Sequence, residues 1–119
     1  MKTTKFNLNS YLKRGSKYGN TITQYKGRNY HSRKEAEWAI VMDDRLKLGE
    51  ITDWKSQFTL KLDINNEHIC NYIIDFWAIT KDGLEELTEI KGFETNEWKI
   101  KWRLAQALYR DKYKFILIK

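Results

Sequence analysis

The chain has 119 residues, 41% of them hydrophobic and 14% aromatic, with a net charge of +6. That length holds one domain with a real core, not two, and that apolar content excludes a disordered chain. No apolar run nears the ~18 residues of a membrane span, and Lys2, Lys5, Lys13 and Arg14 interrupt any signal-peptide core.

The single cysteine, Cys70, can form no internal disulfide and has no metal-site partner, so a reducing, cytoplasmic setting is expected. Charge is unevenly spread. Residues 1–34 carry nine basic residues and no acid, whereas residues 35–119 carry 13 basic and 16 acidic residues. A basic segment ahead of a mildly acidic body fits a nucleic-acid binder. Phe6, Tyr11, Tyr18, Tyr25 and Tyr30 are interleaved with those charges, and aromatic rings can stack on bases.

In chain order, residues 1–20 show no sustained period and read as a basic, irregular, flexible arm. Residues 21–119 read as one domain. Thr21–Tyr25 and Arg28–His31 flank a Lys26-Gly27 turn and predict a short hairpin. Ser32-Arg33-Lys34-Glu35 is a capping box opening a helix that runs to about Leu48 and stops at Gly49. Ala39, Met42 and Leu46 share one direction of that helix with Glu35 among them, and Glu37 lies on the opposite, solvated side. An acid in the middle of an apolar stripe is costly without a partner.

Strands are predicted over Ile51–Leu62 and Ile69–Ile79, joined by a turn at Asp63–Glu67. A third strand, Leu84–Lys91, returns after Lys81-Asp82-Gly83. Thr95 caps a second helix reaching about Asp111. Its apolar residues Trp98, Leu104, Ala105, Leu108 and Tyr109 centre near Lys101, a charge inside an apolar face. Tyr113–Ile118 closes the chain as a β-branched strand. Hairpin, helix, three strands, helix and strand make an α/β fold, a mixed sheet flanked by two main helices.

The Ile69–Ile79 strand carries one acid, Asp75, amid apolar residues. The return strand ends Glu89-Ile90-Lys91, so Glu89 and Lys91 share a face. A two-residue turn at Asp82-Gly83 sets Asp75 opposite Ile90. A three-residue loop, with Gly83 left-handed, sets Asp75 opposite Glu89, with Cβ atoms ~4.5–5.5 Å apart. The pattern favours the second register, which puts Tyr72, Ile74 and Phe76 on one face with Thr88 and Ile90. Asp75, Glu89 and Lys91 then hold the other. Two such carboxylates and a backbone carbonyl suit Mg²⁺, and an exposed salt-bridge cluster is the plainer alternative. If both helices cover that face, Glu35 and Lys101 converge on it as well.

With these residues in view, the chain resembles the PD-(D/E)XK nuclease superfamily, and within it a family of small phage-encoded proteins. The resemblance rests on Ser32–Ala36, Gln57-Phe58, Ile74-Asp75-Phe76, Glu89–Phe93 and Trp98–Lys101. It covers residues 21–119. Ile74-Asp75 stands where the superfamily's name has Pro-Asp.

The resemblance implies a restriction-endonuclease-like core. It implies that Asp75, Glu89 and the Ile90 carbonyl hold Mg²⁺ or Mn²⁺, with Glu35 as an auxiliary acid ligating a metal directly or through water. Lys91 would be the catalytic lysine, and Lys101 a further basic position at the site. The expected activity is metal-dependent hydrolysis of DNA, selective for branched substrates such as Holliday junctions, by a homodimer in the cytoplasm of a bacterium or a phage-infected host. Lys13, Arg14, Lys17, Lys26, Arg28, Arg33, Lys34 and Lys99 are the candidate DNA contacts. The alternatives are a nicking or end-cleaving nuclease of phage replication or packaging, a non-catalytic DNA-binding module, and a docking domain that displays Trp54, Trp77, Trp98 and Trp102.

Overall fold

The computed structural model describes residues 24–119 and, by their backbone alone, residues 3–5. The elements are β1 (Thr3–Lys5), β2 (Gln24–Tyr25), β3 (Arg28–Asn29), α1 (Arg33–Lys47), β4 (Ile51–Ile64), β5 (Glu67–Thr80), β6 (Glu85–Ile90), α2 (Asn96–Tyr109) and β7 (Tyr113–Ile118). This is the mixed α/β arrangement expected. A four-stranded mixed sheet runs β7-β6-β5-β4, and β1 extends it at the β7 edge. Strands β4, β5 and β6 are antiparallel neighbours, and β6 and β7 run parallel with α2 as their crossover. Residues 3–5 were expected to be irregular. Instead the β-branched Thr3 and Thr4 pair in parallel with Phe115 and Ile116 on the open edge of β7. The rest of the proposed basic arm lies outside the described residues.

Strand β7 shows how the layers are built. Phe115 and Leu117 join a core with Trp98, Trp102 and Ala105 of α2, whereas Ile116 and Ile118 join one with Trp38, Val41 and Met42 of α1. Alternate residues point to opposite faces, so the two helices cover opposite faces of the sheet. The condition that both cover the face of Asp75 therefore fails, and any convergence of their charges must occur at a sheet end.

Helix α1 starts where its capping box places it, with Ser32 Oγ accepting from the Glu35 amide at 3.1 Å. Its burial differs from the expected stripe. Residues Glu35 to Met42 are all buried, because the sheet covers one side while Tyr25 and Tyr30, from and just beyond the β2–β3 hairpin, pack on Ala36 and Ile40. Glu37, expected in solvent, is 8% exposed and pairs with Arg33 at 3.4 Å. Leu46, expected in the core, is 41% exposed. The adjacent Arg45 makes the last-turn contact instead, a two-pronged ion pair with Glu86 of β6 at 2.9 and 3.2 Å.

The short hairpin turns at Lys26 and Gly27, both at positive φ, and is tied down by Asp43 of α1. That carboxylate accepts from Tyr25 at 2.6 Å and from Trp54 Nε1 at 3.1 Å, and it pairs with Lys26 at 3.0 Å. In α2 the buried residues are Trp98, Trp102 and Ala105, while Leu108 is 38% exposed. Trp54 and Trp77 are half-buried, so the four tryptophans do not form an exposed docking patch.

Strands β4 and β5 hold one irregularity that matters for the site. Ser56 pairs with Phe76 and Phe58 with Ile74, but Gln57 and Asp75 between them are not a ladder pair, and Gln57 has φ +57°. Phe76 and Trp54 belong to the α1 core, whereas Ile74, Tyr72, Phe58 and Leu60 belong to the α2 core. Removing one residue from each strand switches the inward face from one helix to the other. The expected single face of Tyr72, Ile74 and Phe76 is accordingly split at Asp75.

The Arg45–Glu86 pair is buried, with side chains 14% and 7% exposed. Arg45 also reaches Glu50 at 3.3 Å, so it is removal of Arg45 that leaves a buried, uncompensated charge, on Glu86, which typically costs about 3 kcal/mol or more. Arg45→Met is expected to lower the unfolding free energy by about that much in urea titrations. An Arg45→Met, Glu86→Leu double replacement is expected to recover most of the loss.

Candidate active site

The β5–β6 turn sets the geometry. Gly83 N–H donates to the Thr80 carbonyl at 2.9 Å and Thr80 N–H to the Leu84 carbonyl at 2.8 Å, with Gly83 at φ +85°. Only a residue without Cβ takes that backbone freely. The loop is the three-residue Lys81-Asp82-Gly83, and the ladder runs from Ile79 opposite Glu85 to Phe76 opposite Thr88. The next step along both strands sets Asp75 against Glu89, the register that the apolar pattern favoured.

There the backbone ladder gives way to side chains. The Asp75 amide donates to Glu89 Oε1 at 3.1 Å, and the Ile90 amide donates to Asp75 Oδ2 at 2.8 Å. Each carboxylate thus takes an amide of the facing strand. Glu89 is 3% exposed. Its Oε2 accepts from the Tyr72 hydroxyl and from Trp98 Nε1, both at 2.7 Å, and Trp98 Nε1 also reaches the Tyr72 oxygen at 2.8 Å. Among the described residues no N–H donor reaches Asp75 Oδ1, and no Lys, Arg or His nitrogen pairs with either acid.

Electrostatics follow from this burial. Both carboxyls are pushed above the usual carboxylate range, first by loss of solvent. The Asp75 charge adds to that on Glu89, and the Glu35 charge adds to that on Asp75, against the Ile90 amide and Lys91. Burial and the Glu89 charge likewise hold the Tyr72 hydroxyl protonated. Two adjacent acids of this kind need a proton or a cation between them.

The pair lies on a cleft of about 420 Å³ whose walls include Gln57, Tyr72, Asp75, Glu89, Lys91, Trp98 and Lys101. Lys91 leaves the strand with its amide on the Ile118 carbonyl at 2.9 Å. Its Nζ stands 5.3 Å from the centre of the Trp98 ring. Lys101 reaches the cleft from α2 and pairs with Glu97 at 3.3 Å.

Glu35 lies on a smaller adjoining cleft of about 120 Å³, with Arg28 and Ser56. His31 and Gln57 line both clefts. Glu35 Oε2 accepts from the Ser32 hydroxyl at 3.4 Å, and Oε1 is 3.9 Å from His31 Nδ1. Burial raises the Glu35 carboxyl, with Glu89 adding to the rise and His31 and Lys91 opposing it. The convergence is therefore at one end of the sheet. The first turn of α1 and the first two turns of α2 meet there from opposite faces.

The structure brings Asp75, Glu89, Lys91 and Lys101 to one cavity and sets Glu35 next door. Sequence reasoning missed Tyr72 and Trp98, read as core aromatics, and gave Gln57 and His31 no firm role. The polar ends of buried Tyr and Trp need partners, and Tyr72, Trp98 and the unpaired Glu89 could have supplied one another.

The donor set suits a hard cation. No three of His, Cys, Asp and Glu among the described residues stand close enough to hold an ion alone. Asp75 and Glu89 offer two carboxylates, Ile90 a carbonyl, and Mg²⁺ keeps several waters. Of the expected DNA contacts, Lys26, Arg28, Arg33, Lys34 and Lys99 are all exposed. Lys26 is paired with Asp43, Arg33 with Glu37, and Arg28 donates to Ser56 Oγ. Lys13, Arg14 and Lys17 lie outside the described residues. Among the described residues no helix is long and apolar enough to cross a membrane.

No curated protein and no solved structure matches the chain. A family model matches residues 15–119, and the chain belongs to that family, described as a protein of unknown function (DUF1064).

Proposed function

We propose that the protein is a metal-dependent DNA endonuclease with a restriction-endonuclease-like core. The observation that carries this reading is the Asp75–Glu89 pair, which no Lys, Arg or His nitrogen among the described residues neutralises, with Lys91 on the same cleft. The element order supports it: α1, three antiparallel strands, α2 and a parallel strand, with the acids on the second and third of those strands, as the PD-(D/E)XK resemblance implies.

Phosphodiester hydrolysis needs an activated water, neutralisation of charge on the phosphorane and protonation of the leaving oxygen. Mg²⁺ or Mn²⁺, held by Asp75, Glu89 and the Ile90 carbonyl, would lower the pKa of a bound water and offset phosphate charge. Glu35 would act on that ion through water from the adjoining cleft. Lys91 orients or deprotonates the attacking water, or stabilises the developing charge. Lys101, held by Glu97 at the cleft wall, supplies positive charge to the substrate phosphate.

The chain excess of +6 gives sequence-neutral affinity for the DNA backbone. A single small domain suits recognition of shape over sequence, hence branched DNA as substrate, cut by a homodimer with one site per strand.

The deciding experiment is cleavage of linear, nicked, forked and four-way DNA in Mg²⁺, Mn²⁺ or EDTA. Metal-dependent cutting, strongest on the four-way junction, is expected. Asp75→Asn and Glu89→Gln are expected to reduce it by more than about 100-fold, and Lys91→Ala by about 100-fold or more. Cutting of linear ends or nicks alone would favour the replication or packaging enzyme. Binding without any cutting would leave a non-catalytic DNA module.

A pH dependence follows from the raised carboxyls. Without metal, a carboxyl whose folded pKa lies above its unfolded value of about 4 is most stabilising, as the acid, below that value. Its contribution is lost as pH rises through the folded pKa. Metal binds the ionised pair, so the rise in melting temperature on adding Mg²⁺ should be small near about pH 5 and larger near about pH 8. In Asp75→Asn this pH-dependent increment should largely disappear. An equal metal shift at both pH values in the wild type would contradict the assignment.

A further inference from the structure

The Trp98 indole touches both charged members of the Glu89-Ile90-Lys91 segment. Its Nε1–H donates to Glu89 Oε2 at 2.7 Å, and its ring face lies 5.3 Å from Lys91 Nζ. Glu89 and Lys91 lie on one strand end, but Trp98 comes from α2. The indole is itself held on several sides. The Trp98 backbone amide donates to the helix cap Thr95 Oγ1 at 3.1 Å, and the indole ring stacks on Trp102 at 5.6 Å between centres. Trp102 in turn stands edge-on to Phe115 at 5.4 Å. Tyr72 closes the arrangement from β5, donating to the same Glu89 oxygen while its own oxygen lies 2.8 Å from Trp98 Nε1.

We propose that Trp98, with Tyr72 as its partner, is the positioning residue that sets Glu89 and Lys91 in register with each other. The inference rests on the metal-dependent reading above. The two donors converge on Oε2, which fixes the carboxylate rotamer and leaves Oε1, already near the Asp75 amide, as the oxygen turned to the Asp75 side. A buried carboxylate without such donors would swing, and hydrogen-bonded partners of metal ligands commonly alter affinity 10- to 100-fold. The ring face attracts the Lys91 ammonium and limits where its flexible stem can place Nζ. One rigid side chain on the crossover helix thereby couples the position of a metal ligand to that of the lysine two residues on. Docking of α2 completes the site.

The coupling can be separated by variants. Tyr72→Phe removes one donor to Glu89 with almost no change of shape. Trp98→Phe removes the other donor and keeps an aromatic face for Lys91. Trp98→Leu removes both contacts. Mn²⁺ titration by calorimetry, together with cleavage rates over a range of Mn²⁺ concentrations, reads them.

Tyr72→Phe and Trp98→Phe are expected to weaken Mn²⁺ binding by about 10- to 100-fold, with a smaller loss of rate at saturating Mn²⁺ than Trp98→Leu shows. Trp98→Leu is expected to lose rate at saturation as well. A packing role alone would lower the melting temperature and leave the Mn²⁺ affinity of the folded variants unchanged, which would overturn the inference. If Trp98→Phe does not fold, Tyr72→Phe decides by the same criterion. A wild-type protein that binds no Mn²⁺ overturns the metal-dependent reading and this inference with it. A wild type that binds and cuts beside unaltered variants overturns the inference alone.

Discussion

Asp75 and Glu89 exchange hydrogen bonds with the backbone of each other's strands, and the rest of the molecule is arranged around that exchange. Two acids side by side in a sheet repel, and burial raises the cost of ionising them. They are held because each takes an amide that the ladder would otherwise give to a carbonyl. The site is therefore written into the β5–β6 pairing itself. It needs a three-residue turn, and the turn needs the left-handed Gly83. With one residue fewer in the loop, Asp75 would face Ile90, and Glu89 would lie on the other side of the sheet.

That local exchange also shapes the fold. Asp75 leaves the β4–β5 ladder together with Gln57, and there the inward face of both strands passes from the α1 core to the α2 core. A residue of Gln57's type at positive φ is uncommon and costs on the order of 1 kcal/mol or more. Such a conformation persists where surrounding structure over-determines it, and here both strands are already committed on either side. The consequence is an open sheet end, where β6 finishes and the N-termini of two helices on opposite faces overhang two adjoining clefts. Glu35 benefits from that position. It is in the first turn of α1, where the free amides favour an acid.

Most of the fold was legible because its punctuation is strong. Ser32 and Thr95 cap helices, Gly49 and Gly83 take left-handed backbone, and Tyr113–Ile118 is strand-forming on any scale. The Asp75–Glu89 register was legible too, since only one loop length puts like residues on like faces. Three things were not. The wheel for α1 assumes one buried side, but hairpin aromatics cover a second, so Glu37 went inside and Leu46 out. Arg45 and Glu86 are 41 residues apart, and no periodicity links them. The roles of Tyr72 and Trp98 depend on where α2 docks, because a sequence shows that an aromatic is buried but not what its polar atom meets.

Strand β6 contains its own control. Glu86 and Glu89 are both buried, three residues apart on the same strand. Glu86 is neutralised within the fold by a two-pronged Arg45, the arrangement that a structural acid requires. Glu89 is met instead by neutral donors and by a second acid. Hydrogen bonds from Tyr72, Trp98 and the Asp75 amide satisfy its lone pairs but leave the charge of the pair uncompensated. Packing alone favours replacing such an acid with an apolar residue or giving it an arginine, as the same strand does at Glu86. The contrast fits the proposed function: Glu86 joins helix to sheet, whereas the Asp75–Glu89 pair, on the metal-dependent reading proposed above, would be completed by a cation from outside the fold.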